Sequence, residues 1–144
     1  MTIQMKNNMV KLTIIFFFVM VFSCKKKEDD DHHAGGKQNS DYINAQDCNG
    51  STPTYTVNVA PIMDAKCAIS GCHNAATASH GLNLEGYVAA KGNFNAHNLL
   101  CAINHGESCD PMPKDQPKLS DAEIKTITCW AKNDFPLKIH ESIG

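Results

Sequence analysis

Seven cysteines in 144 residues limit what this chain can fold into more than any other feature. In a reducing compartment such a density points to metal binding or catalysis. In an oxidising one it points to disulfides, which hold small domains together where the core is too small. The length allows one small domain, so the compartment has to be read first. Lys6 and Lys11 precede an almost wholly apolar run from Leu12 to Phe22, and Ser23-Cys24 follows. A basic start, a short apolar run and a small residue before a break form the pattern of a secretory signal. The run falls short of the roughly 20 apolar residues that span a bilayer comfortably. Export, and with it an oxidising environment, is the expectation.

The end of that run, Val21-Phe22-Ser23-Cys24, resembles a relaxed bacterial lipobox. The resemblance implies a signal peptide over residues 1–23, with Cys24 lipidated as the first mature residue. Lys25-Lys26-Lys27-Glu28-Asp29-Asp30-Asp31 comes next. It looks like the charged export signals of some Gram-negative surface lipoproteins, and reads equally well as a solvated linker. His32 and His33 read either as a weak metal-binding pair or, more simply, as polar linker residues. With few apolar residues and Gly35-Gly36, residues 24–47 read as a charged flexible tether, reaching roughly 25 Å from a membrane. The expected location is the cell envelope, lipid-anchored at the outer membrane. The formal net charge is -2 and arginine is absent. Nucleic-acid binders carry a basic Arg- and Lys-rich stripe, so that class is set aside.

The folded domain is expected over residues 48–144. Its central feature is Cys67-Ala68-Ile69-Ser70-Gly71-Cys72-His73. A C-x-x-C-H run attaches haem c: each sulfur adds to a porphyrin vinyl group, and the adjacent histidine ligates the iron. Here the spacer has four residues. The vinyl positions are fixed, so the two extra residues must bulge outward, which Gly71 eases. Other readings of the run are a small-loop disulfide with an incidental His73, half of a zinc site, or a redox dithiol. Around it, Val59 to Lys66 reads as a short helix leading into Cys67, with Pro61 in its first turn and Asn58 or a neighbour as cap. Ser120-Asp121-Ala122-Glu123 is a capping box. Ile124, Ile127 and Ala131 behind it recur at helical spacing with Trp130 alongside, and Asn133-Asp134-Phe135-Pro136 ends that helix. Strand patterning is scarce between them. The expected class is all-α, short helices with long loops around a covalently bound haem.

From about Tyr55 to Pro136 the chain resembles the small monohaem cytochrome c domains of secreted bacterial proteins, of the planctomycete type, among which a Cys-x4-Cys-His variant occurs. The likeness is carried by Val59-Ala60-Pro61-Ile62, Gly81-Leu82-Asn83-Leu84-Glu85-Gly86-Tyr87, Ile103-Asn104-His105, Pro111-Met112-Pro113 and Lys118-Leu119-Ser120-Asp121, in that order. Ala102 stands where the family often has an arginine. The resemblance implies one haem c per chain, held through Cys67 and Cys72 with His73 as proximal ligand. It places the distal methionine at Met112, where flanking prolines restrict the backbone. Met63 reads as a core residue. His80, His97, His105 and His140 are the histidine alternatives, with His105 first among them because it sits near the Met112 loop.

Cys48, Cys101, Cys109 and Cys129 remain, an even number that suggests two disulfides with three possible pairings. Cys101–Cys109 is favoured because it would brace the segment leading to Met112. Cys48–Cys129 is favoured because it would tie the domain entrance to the closing helix. The expected function is electron transfer, not enzymatic catalysis, between redox partner proteins of the cell envelope, with a monomeric chain anchored to the membrane by lipid. Two rivals stand beside it: a haem sensor or peroxidase-like enzyme with an open iron face, and a haem-free, disulfide-stapled surface lipoprotein acting as a binding module.

Overall fold

The computed structural model describes residues 36–138, and those residues are all-α. They contain α1 (Asn39–Ala45), a π-helical turn (Tyr55–Val59) that runs straight into α2 (Ala60–Lys66), a 3-10 turn (Ser79–Gly81), α3 (Tyr87–Asn93), α4 (Leu99–Asn104) and α5 (Asp121–Lys132). No strand occurs among the described residues. None of their helices is long and apolar enough to cross a membrane. The expected signal peptide, Cys24 and His140 lie outside the described residues.

The longest helix among the described residues, α5, is the one the sequence marks most heavily. The Ser120 hydroxyl accepts the Glu123 N–H at 3.3 Å and the Glu123 carboxylate accepts the Ser120 N–H at 2.8 Å, so two orphan donors of the first turn are satisfied. Ile124, Ile127, Trp130 and Ala131 are all buried. This apolar side is the hub of the fold: α5 packs against α1, against α4 and against the π-turn. Trp130 is fully buried among Tyr55, Tyr87, Phe94 and Phe135, with ring centroids 5.5, 6.4, 6.2 and 4.9 Å away. Mostly edge-on contacts of this kind suit the quadrupoles of the rings.

After α5 the chain reverses through Asp134 and Phe135, both at positive φ (60° and 58°). The reversal brings the Pro136 carbonyl between two donors, the Tyr55 N–H at 2.8 Å and the Trp130 indole N–H at 3.1 Å. The end of the domain is thus fastened to the segment that leads into α2. Because the helix is already under way at Val59, which has αR geometry (φ -91°, ψ -41°), α2 needs no side-chain cap. Asn58 does not cap it: its Oδ1 accepts the Thr54 N–H at 2.9 Å at the start of the π-turn. Pro61 sits in the first turn of α2, where its missing N–H costs nothing.

One boundary differs from the reading of residues 24–47 as tether. Residues 39–45 form α1, and that helix packs on α4 and α5. Its docking rests on Asn39, 6% exposed. Oδ1 accepts the Leu100 N–H at 2.8 Å, and Nδ2 donates to the Phe94 carbonyl at 2.9 Å and to Asn95 Oδ1 at 3.1 Å. A polar side chain that meets this many partners can be buried without penalty. The ordered domain therefore begins before Cys48.

Cys48 is bonded to Cys129 and Cys101 to Cys109, the two bridges favoured from the sequence. The first joins the stretch after α1 to α5. The second closes a short loop between α4 and the Met112 segment.

Candidate functional site

Cys67 ends α2: its N–H donates to the Met63 carbonyl at 2.9 Å, and that of Ala68 to the same oxygen at 2.7 Å. Met63 is fully buried, a core residue as its helical position suggested. The helix thus delivers Cys67 to the edge of the core, 9% exposed. Burial first, then the neighbouring Cys72 and Glu123, push its thiol up to about 11, so it is protonated at neutral pH. The chain then turns back on itself. Cys72 N–H reaches the Ile69 carbonyl at 3.0 Å and His73 N–H the Cys67 carbonyl at 3.1 Å. Gly71 sits at φ +82°, a region closed to most residues with a β-carbon, and its N–H donates to Thr77 Oγ1 at 3.2 Å. Ile69, Ser70 and Gly71 are exposed, so the spacer does project outward.

His73 is half-buried. Its Nδ1 lies 3.1 Å from the Leu82 carbonyl oxygen. A carbonyl can only accept, so the proton is on Nδ1 and the Nε2 lone pair is left available. Metal-ligating histidines are held in this way, with the ring nitrogen away from the metal bonded to a carbonyl or carboxylate. The loop that supplies the carbonyl is itself fixed. Leu84 N–H donates to the His73 carbonyl at 2.8 Å, Ser79 N–H to the Cys72 carbonyl at 3.0 Å, and Ala75 N–H to the Glu85 carboxylate at 2.7 Å. Nothing local in Gly81-Leu82-Asn83-Leu84 marks the Leu82 carbonyl for this role.

Met112 lies on the segment after α4 and is half-buried. Its N–H donates to the Ala102 carbonyl at 3.0 Å, and its carbonyl accepts the Nε2–H of His105 at 3.1 Å. The Met112–Pro113 peptide bond is cis. These hydrogen bonds bring Met112 together with α4 and His105, while Cys67, Cys72 and His73 lie in one backbone turn of their own. His80, His97 and His105 are exposed.

Among the described residues Cys67 and Cys72 are the free cysteines, the other four being paired. No group of three or more His, Cys, Asp or Glu side chains there converges to hold a metal ion. A zinc cage needs such convergence. A c-type haem does not, because the porphyrin brings four nitrogens and asks of the protein two thiols and an imidazole with a free lone pair. Cys67, Cys72 and His73 fit that demand. A polar cleft of about 460 Å³ between Asn44–Asn49 and Lys132–Asn133 shares no residue with these segments. Compared with protein-family models, curated proteins and solved structures, the chain matches none.

Proposed function

We propose that the chain is a monohaem c-type cytochrome that carries electrons at the bacterial cell envelope. The observation that supports this most is the state of His73. Its Nδ1–H is committed to the Leu82 carbonyl beside two cysteines left free in a domain that pairs four others. In this reading each thiol adds across one vinyl group, sulfur to one carbon and hydrogen to its neighbour, so Cys67 and Cys72 become thioethers. His73 would hold the iron through Nε2, and Met112 through its sulfur. Haem c, when bound, supplies a one-electron ferric/ferrous couple. The chain's part would be to bind the group through Cys67 and Cys72 and to hold His73 and Met112 in place. A thioether ligand favours ferrous iron relative to a second histidine, which suits an electron acceptor of moderate or high potential. Partners would be redox proteins of the envelope, reached from a lipid anchor on Cys24 of a monomeric chain at the outer membrane.

The test is attachment. After acidified organic extraction the haem should stay with the polypeptide, and a Cys67→Ala, Cys72→Ala double variant should lose it. Haem that extracts freely from the intact protein overturns the proposal. A colourless product from a host that matures c-type cytochromes would favour the stapled binding module instead. Fast, complete binding of carbon monoxide to the ferrous protein would favour the sensor or enzyme. For the anchor, mass spectrometry of the mature N-terminal peptide should find acyl chains on Cys24, and an unacylated N-terminus at another residue rejects it.

A further inference from the structure

His105 stands where glycine would be the least strained residue. It closes α4 at φ 56°, ψ 45°, in the left-handed region where a β-carbon is crowded and glycine is free. What its backbone does there, donating its N–H to the Ala102 carbonyl at 3.1 Å, glycine would do as well. The ring is exposed, so packing into the core does not explain the residue. What the side chain adds is one bond: Nε2–H donates to the Met112 carbonyl at 3.1 Å. Met112's own N–H meanwhile donates to the Ala102 carbonyl at 3.0 Å. Both polar groups of the Met112 main chain are thus held by the last turn of α4 and the residue that closes it. Cys101 of that same turn is bonded to Cys109, three residues before Met112.

We propose that His105 is a positioning residue for Met112, its ring fixing the main chain of the methionine so that the thioether is presented to the haem iron instead of swinging with its loop. This rests on the reading of Met112 as distal ligand. It also gives His105 a role other than iron ligand: its Nε2–H is engaged by the Met112 carbonyl, so the ring serves the methionine.

The experiment uses the full chain matured with haem, as wild type, His105→Gly, His105→Gln and Met112→Ala. Three things are read: the long-wavelength ferric absorption band that arises from methionine sulfur on iron, the affinity for added imidazole, and the thermal unfolding midpoint. Glycine relieves the positive φ and keeps the helix cap, so His105→Gly should hold or raise the midpoint. The same variant should weaken the sulfur band and bind imidazole about three- to tenfold more tightly, the worth of one lost hydrogen bond on the closed loop. His105→Gln, which also carries a side-chain N–H, should restore both toward wild type, and Met112→Ala should lose the band. If His105→Gly keeps the band and an imidazole affinity within about twofold while Met112→Ala loses the band, the role of His105 is overturned and Met112 stands. If His105→Gly lowers the midpoint and His105→Gln restores nothing, His105 is merely structural and the proposal is overturned. A band that survives in Met112→Ala overturns both assignments.

Discussion

Trp130 shows how much a domain of this size asks of single side chains. It is fully buried, and four aromatic rings and the Pro136 carbonyl meet it from different elements. Trp130→Ala should cost about 3–5 kcal/mol, a large share of a marginal total. Trp130→Phe should cost about 1–3 kcal/mol, because a ring remains and Tyr55 still donates to Pro136. Denaturant unfolding of the oxidised protein checks both, and equal costs would mean that the indole N–H matters more than the packing. Asn39 carries a comparable burden with polar atoms. Asn39→Ala strands the Leu100 N–H and the Phe94 carbonyl, and should cost about 1–3 kcal/mol. Asn39→Asp should not rescue it: a carboxylate can still accept from Leu100 but would face the Phe94 and Asn95 oxygens. Hydrogen exchange at the Leu100 amide should quicken in Asn39→Ala, and an unchanged rate there would show that the bond to Asn39 does not protect it. Gly106 is constrained differently. A β-carbon there would stand 2.6 Å from Tyr42 Oη and 2.8 Å from Cys101 Sγ, so close approach, not φ, demands glycine.

Among the elements, α5 is the one whose ends and faces are written locally, and its cap makes a testable pH effect. The Ser120 hydroxyl, then the Ser120 N–H, and at longer range Lys66 hold the Glu123 carboxyl below its ordinary value of 4.5. A depressed folded pKa gives stability that is present above the ordinary carboxylate range and is lost as pH falls through the folded value. Ser120→Ala should therefore lower stability by about 1 kcal/mol at neutral pH. The gap between wild type and variant should narrow below the ordinary value, and melting curves across acid pH read this directly. A gap independent of pH would mean that the hydroxyl caps the Glu123 N–H and does little for the carboxylate. α2 teaches the opposite lesson. Its Pro61 was legible, but its cap was not, because the π-turn from Tyr55 supplies the preceding turn of backbone and frees Asn58 for Thr54.

At the scale of the whole molecule, the two disulfides divide the work. Cys48–Cys129 spans 81 residues and Cys101–Cys109 spans 8. On loop-closure entropy, removing the first should cost about 4.5 kcal/mol and the second about 2.5 kcal/mol. Replacing each pair by alanine and measuring unfolding free energies tests the order. A larger loss from the short bridge would mean that native strain or denatured-state structure outweighs loop length. Loss of the short bridge should also loosen the segment ahead of Met112, visible as faster exchange of the Met112 amide, while the amides of α5 stay protected.

The sequence by itself determined the all-α class, the closing helix with its cap and buried side, the outward spacer with Gly71, and the adjacency of two cysteines and a histidine. Each of these is set by near neighbours: helical period, capping and tight turns act over a few residues, so the pattern shows in the string. Four cysteines besides Cys24, Cys67 and Cys72 were also visible, and the pairs favoured from the string, Cys48–Cys129 and Cys101–Cys109, are the ones the folded chain forms. The tertiary structure alone decided the rest. It set the Leu82 carbonyl against His73, the His105 ring against Met112, and Asn39 into α4 across 61 residues of sequence, which made a helix out of a stretch that reads as tether. These are hydrogen bonds of single polar groups whose partners share no period with them, and a partner is chosen only when packing of the apolar faces has fixed which backbone atoms would otherwise be buried unpaired.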